Sequence, residues 1–309
     1  MSTLPDPPRF GRVVTAMVTP FDDAGALDID AAVELARWLA AHGSDGLVLS
    51  GSTGESSVLT DEEKCDLWRA VAGAVTIPVV AGTGSNDTAH SIKMTTLAAT
   101  CGVDGVLVVT PYYNRPSQSG LYEHFRAVAE AAGGLPVALY DIPVRTGRRI
   151  AGPTLLRLAH DVPAIVALKD AAGDPAGTAH LAARVPSGFE IYSGDDVMTL
   201  PLLAVGAVGV ISVAAHWVGP QIKAVIEAFL SGDLAGAIAG NAQLLDAIDF
   251  QSSDEFPNPI PAKAICRAMG LRVGQCRLPM GRSSSELESQ AAKILAAFGP
   301  PTATVQPLG

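Results

Sequence analysis

Eight short apolar runs alternate with amphipathic segments almost from end to end of the chain, and no other feature restricts the fold as much. The runs occupy residues 13–19, 46–50, 78–81, 105–110, 136–141, 164–169, 189–193 and 208–213. Each is rich in Val, Ile, Leu and Ala and is bounded by Gly, Pro or polar turns, as strands buried on both faces are. Helical stretches at 29–41, 61–75, 87–100 and 119–132 lie between them, and Thr60 with Glu63 reads as a capping box at the start of the second. Eight strand–helix units in series predict an α/β chain closed into a (β/α)8 TIM barrel over residues 10–231. An open, doubly wound sheet more often carries an early glycine loop for a nucleotide, whereas the first run here ends in Thr19-Pro20-Phe21. Residues 216–230 fit the eighth barrel helix. Further helices at 234–249, 261–269 and 284–298 predict a C-terminal helical extension over 232–298, with flexible termini at 1–9 and 299–309.

The composition suits one large core. Of 309 residues, 48% are hydrophobic and 17% charged, outside the range of disordered chains. A net charge of −10 argues against nucleic acid or an anionic membrane as partner. Cys65, Cys101, Cys266 and Cys276 lie far apart, and the six histidines form no ligand spacing, so neither a disulfide framework nor a metal site is expected and a reducing cytoplasm suits the chain. Residues 197–222 carry no formal charge and are long enough to span a bilayer. Pro201, Gly206, Gly209, Gly219 and Pro220 interrupt them, so a helix, a turn, a buried strand and another turn are predicted instead.

Barrel enzymes carry their chemistry at the carboxyl ends of the strands, which confines the search. Of six lysines, Lys64, Lys93, Lys223 and Lys293 fall in amphipathic helices where solvated faces are expected, and Lys263 falls in the extension. Lys169 alone closes a strand. Alternation places Ile165, Ala167 and Lys169 on one face. If that face is the barrel interior, desolvation lowers the lysine pKa and makes an amine nucleophile. An ion pair with Asp170, or a lysine reaching water, fits the position equally well. Tyr140 ends the neighbouring strand above the small Ala138, as a proton-transfer group or as an ordinary core tyrosine. The second strand runs into Gly51-Ser52-Thr53-Gly54-Glu55, a turn whose N–H groups and hydroxyls can hold a carboxylate. Arg145 stands just beyond Tyr140, poised to grip a carboxylate or to make a loop salt bridge. Tyr112 and Tyr113 lie in the loop after the fourth strand, and Val213 ends the eighth.

Together these segments, from Val14-Thr15-Ala16-Met17-Val18-Thr19-Pro20-Phe21 to Asn258-Pro259-Ile260-Pro261-Ala262-Lys263, resemble the dihydrodipicolinate synthase / N-acetylneuraminate lyase family of Schiff-base barrels over nearly the whole chain. The resemblance implies Lys169 as the Schiff-base lysine, Tyr140 as the proton-relay tyrosine and Ser52 as the relay hydroxyl. It places Thr53 beside the pyruvate carboxylate, with Gly51 and Val213 as further substrate-binding positions. Tyr113 matches a relay tyrosine inserted by a second subunit, which implies a homodimer or homotetramer. Arg145, in Arg145-Thr146-Gly147, matches the group that binds the carboxylate of an aldehyde substrate. For the synthase branch the implied substrates are pyruvate and aspartate semialdehyde, on the path to diaminopimelate and lysine, with no metal or organic cofactor.

Ser52 is a departure, since many synthases carry threonine there and sialic-acid lyases share Gly-Ser-Thr-Gly-Glu. Tyr112-Tyr113-Asn114-Arg115-Pro116 and Arg145 speak for the synthase branch. Lysine-inhibited members carry histidine, asparagine and glutamate around an effector pocket. Asn86 and Tyr112 match, but Asp61, Lys64 and His90 stand at the other positions, so weak or absent inhibition is expected, with Asp61 and Lys64 paired along one helix face. Two other functions are open to such a chain. One is a 2-oxo acid aldolase acting on sugar acids; the other is an idle barrel acting as a binding protein, which loss of the lysine, tyrosines or glycine turn would signal.

Overall fold

The computed structural model describes residues 4–299. Of the termini expected to be flexible at 1–9 and 299–309, residues 1–3 and 300–309 lie outside the described residues, while the carbonyls of Pro5 and Asp6 accept from the Arg12 side chain. Eight parallel strands close in sequence order: β1 (Val13–Ala16), β2 (Gly46–Leu49), β3 (Val79–Gly82), β4 (Gly105–Val109), β5 (Val137–Asp141), β6 (Ile165–Asp170), β7 (Glu190–Ser193) and β8 (Gly209–Ser212). The ring is completed where Val13, Val14 and Thr15 pair with Val210, Ile211 and Ser212. The chain is therefore the (β/α)8 TIM barrel that its alternation predicts.

Outside the barrel lie α1 (Ile29–Ala41), α2 (Asp61–Ala72), α3 (Thr88–Ala98), α4 (Gln118–Glu130), the single turn α5 (Pro143–Thr146), α6 (Gly152–Asp161), α7 (Pro175–Ala182), α8 (Thr199–Leu203) and α9 (Ala215–Leu230). The starts are set locally. Asp28 accepts from the Ala31 N–H at 2.9 Å and Ser117 from the Gly120 N–H at 3.1 Å. Thr60 and Glu63 form a reciprocal capping box at 3.1 and 2.9 Å, each such cap contributing about 1 kcal/mol. Leu35, Leu39, Trp68, Phe125 and Leu158 turn inward from these helices onto Leu47, Leu49, Val79, Val106 and Leu139 of the strands. Helices α10 (Leu234–Asp249), α11 (Ile260–Ala268) and α12 (Ser285–Phe298) follow the barrel, and α10 packs along α9. Among the described residues no helix is long and apolar enough to cross a membrane.

A second, smaller core fills the barrel: Val14, Val48, Val80, Leu107, Ala138, Ala167, Tyr192 and Ile211, closed at the amino-terminal end by Phe10. One sequence expectation fails here. Ile165 pairs with Val137, but the next pair is Ala138 with Ala167, so β6 carries a bulge at Val166. Ile165 therefore faces the helices, while Ala167 faces the interior. The bulge lies below Lys169, whose inward direction is counted from Ala167 and survives.

Closing the bottom requires strands that begin without side chains. A Cβ on Gly46 would stand 2.3 Å from the Phe10 carbonyl oxygen, and one on Gly209 2.2 Å from that of Arg12. Both obstacles are backbone and cannot rotate away. Gly209→Ala should cost on the order of 2 kcal/mol or more by forcing β8 from β1. Urea unfolding that placed the variant within about 0.5 kcal/mol of the wild type would show that the seam between β1 and β8 is not tight.

Candidate active site

Parallel pairing brings Tyr140 opposite Lys169 at the carboxyl end of the barrel. The Lys169 Nζ lies 4.3 Å from the centre of the Tyr140 ring, and both residues are buried. Beneath them the inward positions are Ala138 and Ala167, small enough to leave the amine room. Beside the lysine stem, Gly194 passes so closely that a Cβ there would meet Lys169 Cγ at 3.0 Å.

Asp170 does not pair with this lysine. It faces the outer helices, accepting from the Thr178 hydroxyl at 2.6 Å and the Ala172 N–H at 3.0 Å. Asp196 is nearer the amine but is spent on the Ser212 hydroxyl and on the N–H groups of Val213 and Ala214 at 2.9 and 3.2 Å. Burial pushes the Lys169 ammonium down to about 8; Asp196 and Asp195 oppose the shift and Arg145 adds to it. An amine that loses its proton near physiological pH, with no carboxylate bonded to it, is a nucleophile rather than half of a salt bridge. Burial also pushes the Tyr140 phenol up to about 12, against Arg145 and hydrogen bonding with Ser52. The phenol keeps its proton at neutral pH and can lend it.

The turn after β2 supplies the polar wall. It closes on itself through Glu55 N–H to the Ser52 carbonyl at 3.1 Å and Ser56 N–H to the Gly51 carbonyl at 3.2 Å. The Thr19 hydroxyl donates to the Gly54 carbonyl at 2.6 Å, tying the turn to the end of β1. Two adjoining cavities of about 400 and 610 Å3 open here, and Ser52, Tyr140, Arg145 and Asn258 line both. The smaller also holds Lys169, Thr53 and Val213, and the larger Gly51 and Tyr113. Seven of the eight residues expected at the site thus surround one opening. Tyr113 stands apart: it lines the outer rim with 90% of its surface exposed and a left-handed backbone at φ 73°. Bulky residues adopt that conformation only when something holds it.

Several residues to which the sequence reading gives no site role take part here. Asn258 donates through Nδ2 to the Thr53 hydroxyl at 3.0 Å, and its carbonyl accepts from Arg145 at 3.4 Å. It belongs to the extension, which therefore completes the barrel mouth. Asp195 and Asp196 follow β7 directly, a position that the strand map had already marked for chemistry. Lys263 is fully buried and forms an ion pair with Glu55 at 2.7 Å, its Nζ donating also to the Gln275 carbonyl at 3.0 Å. Burial pushes this ammonium down and Glu55 opposes; with partners on two sides it is unsuited to attack. Lys64 corrects the expectation of a solvated face, being buried, with desolvation pushing its ammonium down. Nor does Asp61 pair with Lys64; it accepts from His90 and Lys93, each at 2.8 Å.

Residues 9–298 match the model of the dihydrodipicolinate synthetase family. A 4-hydroxy-tetrahydrodipicolinate synthase of Symbiobacterium thermophilum is 50% identical over 294 residues, covering 94% of this chain and 99% of its own. One from Parasynechococcus marenigrum is also 50% identical, over 94% of this chain and 96% of that protein. Among solved structures, the dihydrodipicolinate synthase of Cyanidioschyzon merolae with lysine bound superimposes with a TM-score of 0.91 at 43% identity, covering 94% of this chain and 99% of that one.

Proposed function

The chain belongs to the dihydrodipicolinate synthetase family, and from that membership we propose that Lys169 carries a 4-hydroxy-tetrahydrodipicolinate synthase reaction, condensing pyruvate with L-aspartate 4-semialdehyde. The observation that carries the assignment is a buried amine, free of carboxylate partners, against the Tyr140 ring. Its neutral form attacks the ketone carbon of pyruvate, and loss of water gives an imine. The N–H groups and hydroxyls of Ser52 and Thr53 hold the substrate carboxylate, with Gly51 and Val213 shaping its pocket. Removing a methyl proton gives an enamine, whose carbon attacks the aldehyde while the new alkoxide takes a proton. Tyr140, Ser52 and Tyr113 move these protons, and Arg145 holds the carboxylate of the semialdehyde. The semialdehyde's own amine then displaces Lys169 from the imine and closes the ring. Residues 10–231 form the reacting barrel in this reading, and 232–298 cap its mouth through Asn258. A sugar-acid substrate would need a hydroxyl-rich wall, which the cation of Arg145 does not supply.

Borohydride reduction in the presence of pyruvate should fix one three-carbon adduct on Lys169, found by peptide mapping, and Lys169→Ala or Lys169→Arg should lose it. Because the neutral amine reacts, trapping should accelerate as pH rises through about 8 and then level. An adduct on another lysine, or a rate that falls over that range, would refute the assignment.

Tyr113 leaves its ring in solvent on an isolated chain, a costly placement for an aromatic residue that is resolved when another surface covers it. We assign it to the site of a second copy in a homodimer or homotetramer. Mixing Tyr113→Phe and Lys169→Ala subunits should then recover part of the activity, since one of the two sites in a mixed dimer has both groups intact. Verified subunit exchange without recovery would place Tyr113 in its own chain's site.

Free lysine should inhibit weakly. Asp61, the acid nearest the expected effector positions, is already paired with His90 and Lys93, and no glutamate stands at His90 to receive an ammonium. Half-inhibition of initial rates below about 1 mM lysine, the upper end of ordinary substrate affinities, would show that Asp61 exchanges its partners for the effector.

A further inference from the structure

Glu55 is an odd residue to find in a turn that receives an anion. It lines the same cavity as Ser52 and Arg145, with a left-handed backbone at φ 55°. Its Oε2 accepts from the Arg277 N–H at 2.9 Å, fastening the 275–277 segment over the turn. The Arg277 side chain continues the link, donating to the Val58 carbonyl at 2.9 Å and to Glu63 at 2.9 and 2.5 Å. The carboxylate thus has a structural task, but it puts an acidic group into the same turn whose N–H groups a substrate carboxylate would use. Like charges in a partly desolvated cavity repel strongly. Among the described residues the one cation ion-paired to Glu55 is Lys263, with 1% and 2% of the two side chains exposed, and its Nζ also lies 4.1 Å from the centre of the Phe21 ring. Stability alone is a poor explanation for that pair. Desolvating two charges offsets most of their attraction, and apolar replacements are often neutral or stabilising.

We propose that Lys263 is a positioning residue for substrate capture: by cancelling the charge of Glu55 it allows the turn at 51–55 to accept the carboxylate of a 2-oxo acid. The inference rests on the pyruvate reading above and adds to it a residue of the extension that touches neither substrate nor reacting atoms. A purely structural pair and a charge-cancelling pair differ in one consequence. Breaking a structural pair from either end harms the turn in the same direction. Breaking a charge-cancelling pair leaves an anion in one variant and a cation or a neutral amine in the other, and only the first repels an anionic substrate.

The test is the pyruvate concentration that half-saturates borohydride trapping, with the plateau yield read separately, in Lys263→Met, Glu55→Gln and the double variant. Lys263→Met should raise half-saturation on the order of tenfold while approaching the wild-type plateau. Glu55→Gln should leave it unchanged or lower it, and the double variant should return to within about threefold of wild type. A similar rise in both single variants would overturn the proposal and leave the pair as scaffold. Should Lys263→Met fail to fold, the double variant decides: half-saturation within about threefold supports the proposal, and a rise on the order of tenfold defeats it. Absence of any adduct in the wild type would defeat the pyruvate reading first, and this inference with it.

Discussion

Keeping one amine out of water, without a counter-ion bonded to it, is the constraint around which the mouth of this barrel is arranged. The barrel meets it by subtraction. Ala138, Ala167 and Gly194 leave a shaft for the lysine stem, and each acid in the vicinity is engaged elsewhere: Asp170 on Thr178, Asp196 on Ser212 and two backbone N–H groups. Desolvation, with Arg145 adding to it, then outweighs the opposing charges of Asp196 and Asp195 on Lys169. The closed strand ladder matters because it fixes these absences as firmly as it fixes the residues present; an extra methyl at Gly194 would crowd the lysine stem, and a freed carboxylate would favour the protonated amine.

Lys263 shows the opposite solution to the same problem. It too is buried, and burial pushes its ammonium down, but it lies against Glu55 and the Gln275 carbonyl. The two lysines lie in one protein under comparable desolvation and differ in what surrounds their nitrogens. Burial alone therefore does not make a nucleophile; the distribution of neighbouring acceptors decides.

The barrel and the buried lysine at its mouth were legible because both depend on local pattern. Alternation of apolar runs sets the strand count, and position at a strand end singles out Lys169. Pattern failed where distant residues intervene. The bulge at Val166 turns Ile165 outward, and nothing in Ala-Ile-Val-Ala announces it, since all four residues suit either face. Asp61 ignores the i,i+3 partner that helix geometry offers, because His90 and Lys93 reach it from the neighbouring helix. The burial of Lys263 was hidden because its partner lies roughly two hundred positions earlier. Asn258 was visible as part of a motif, but its contact with Thr53 exists only once the extension folds back over the barrel.

That return of the extension has a bearing on how the protein is made. During synthesis the eight strands are made before Asn258, Lys263 and Arg277, which hold Thr53, Glu55 and the turn between β2 and α2. The growing chain thus carries Lys169 some way ahead of the contacts that finish the pocket. Chain order alone therefore means that a polypeptide ending after β8 lacks the groups that finish the mouth.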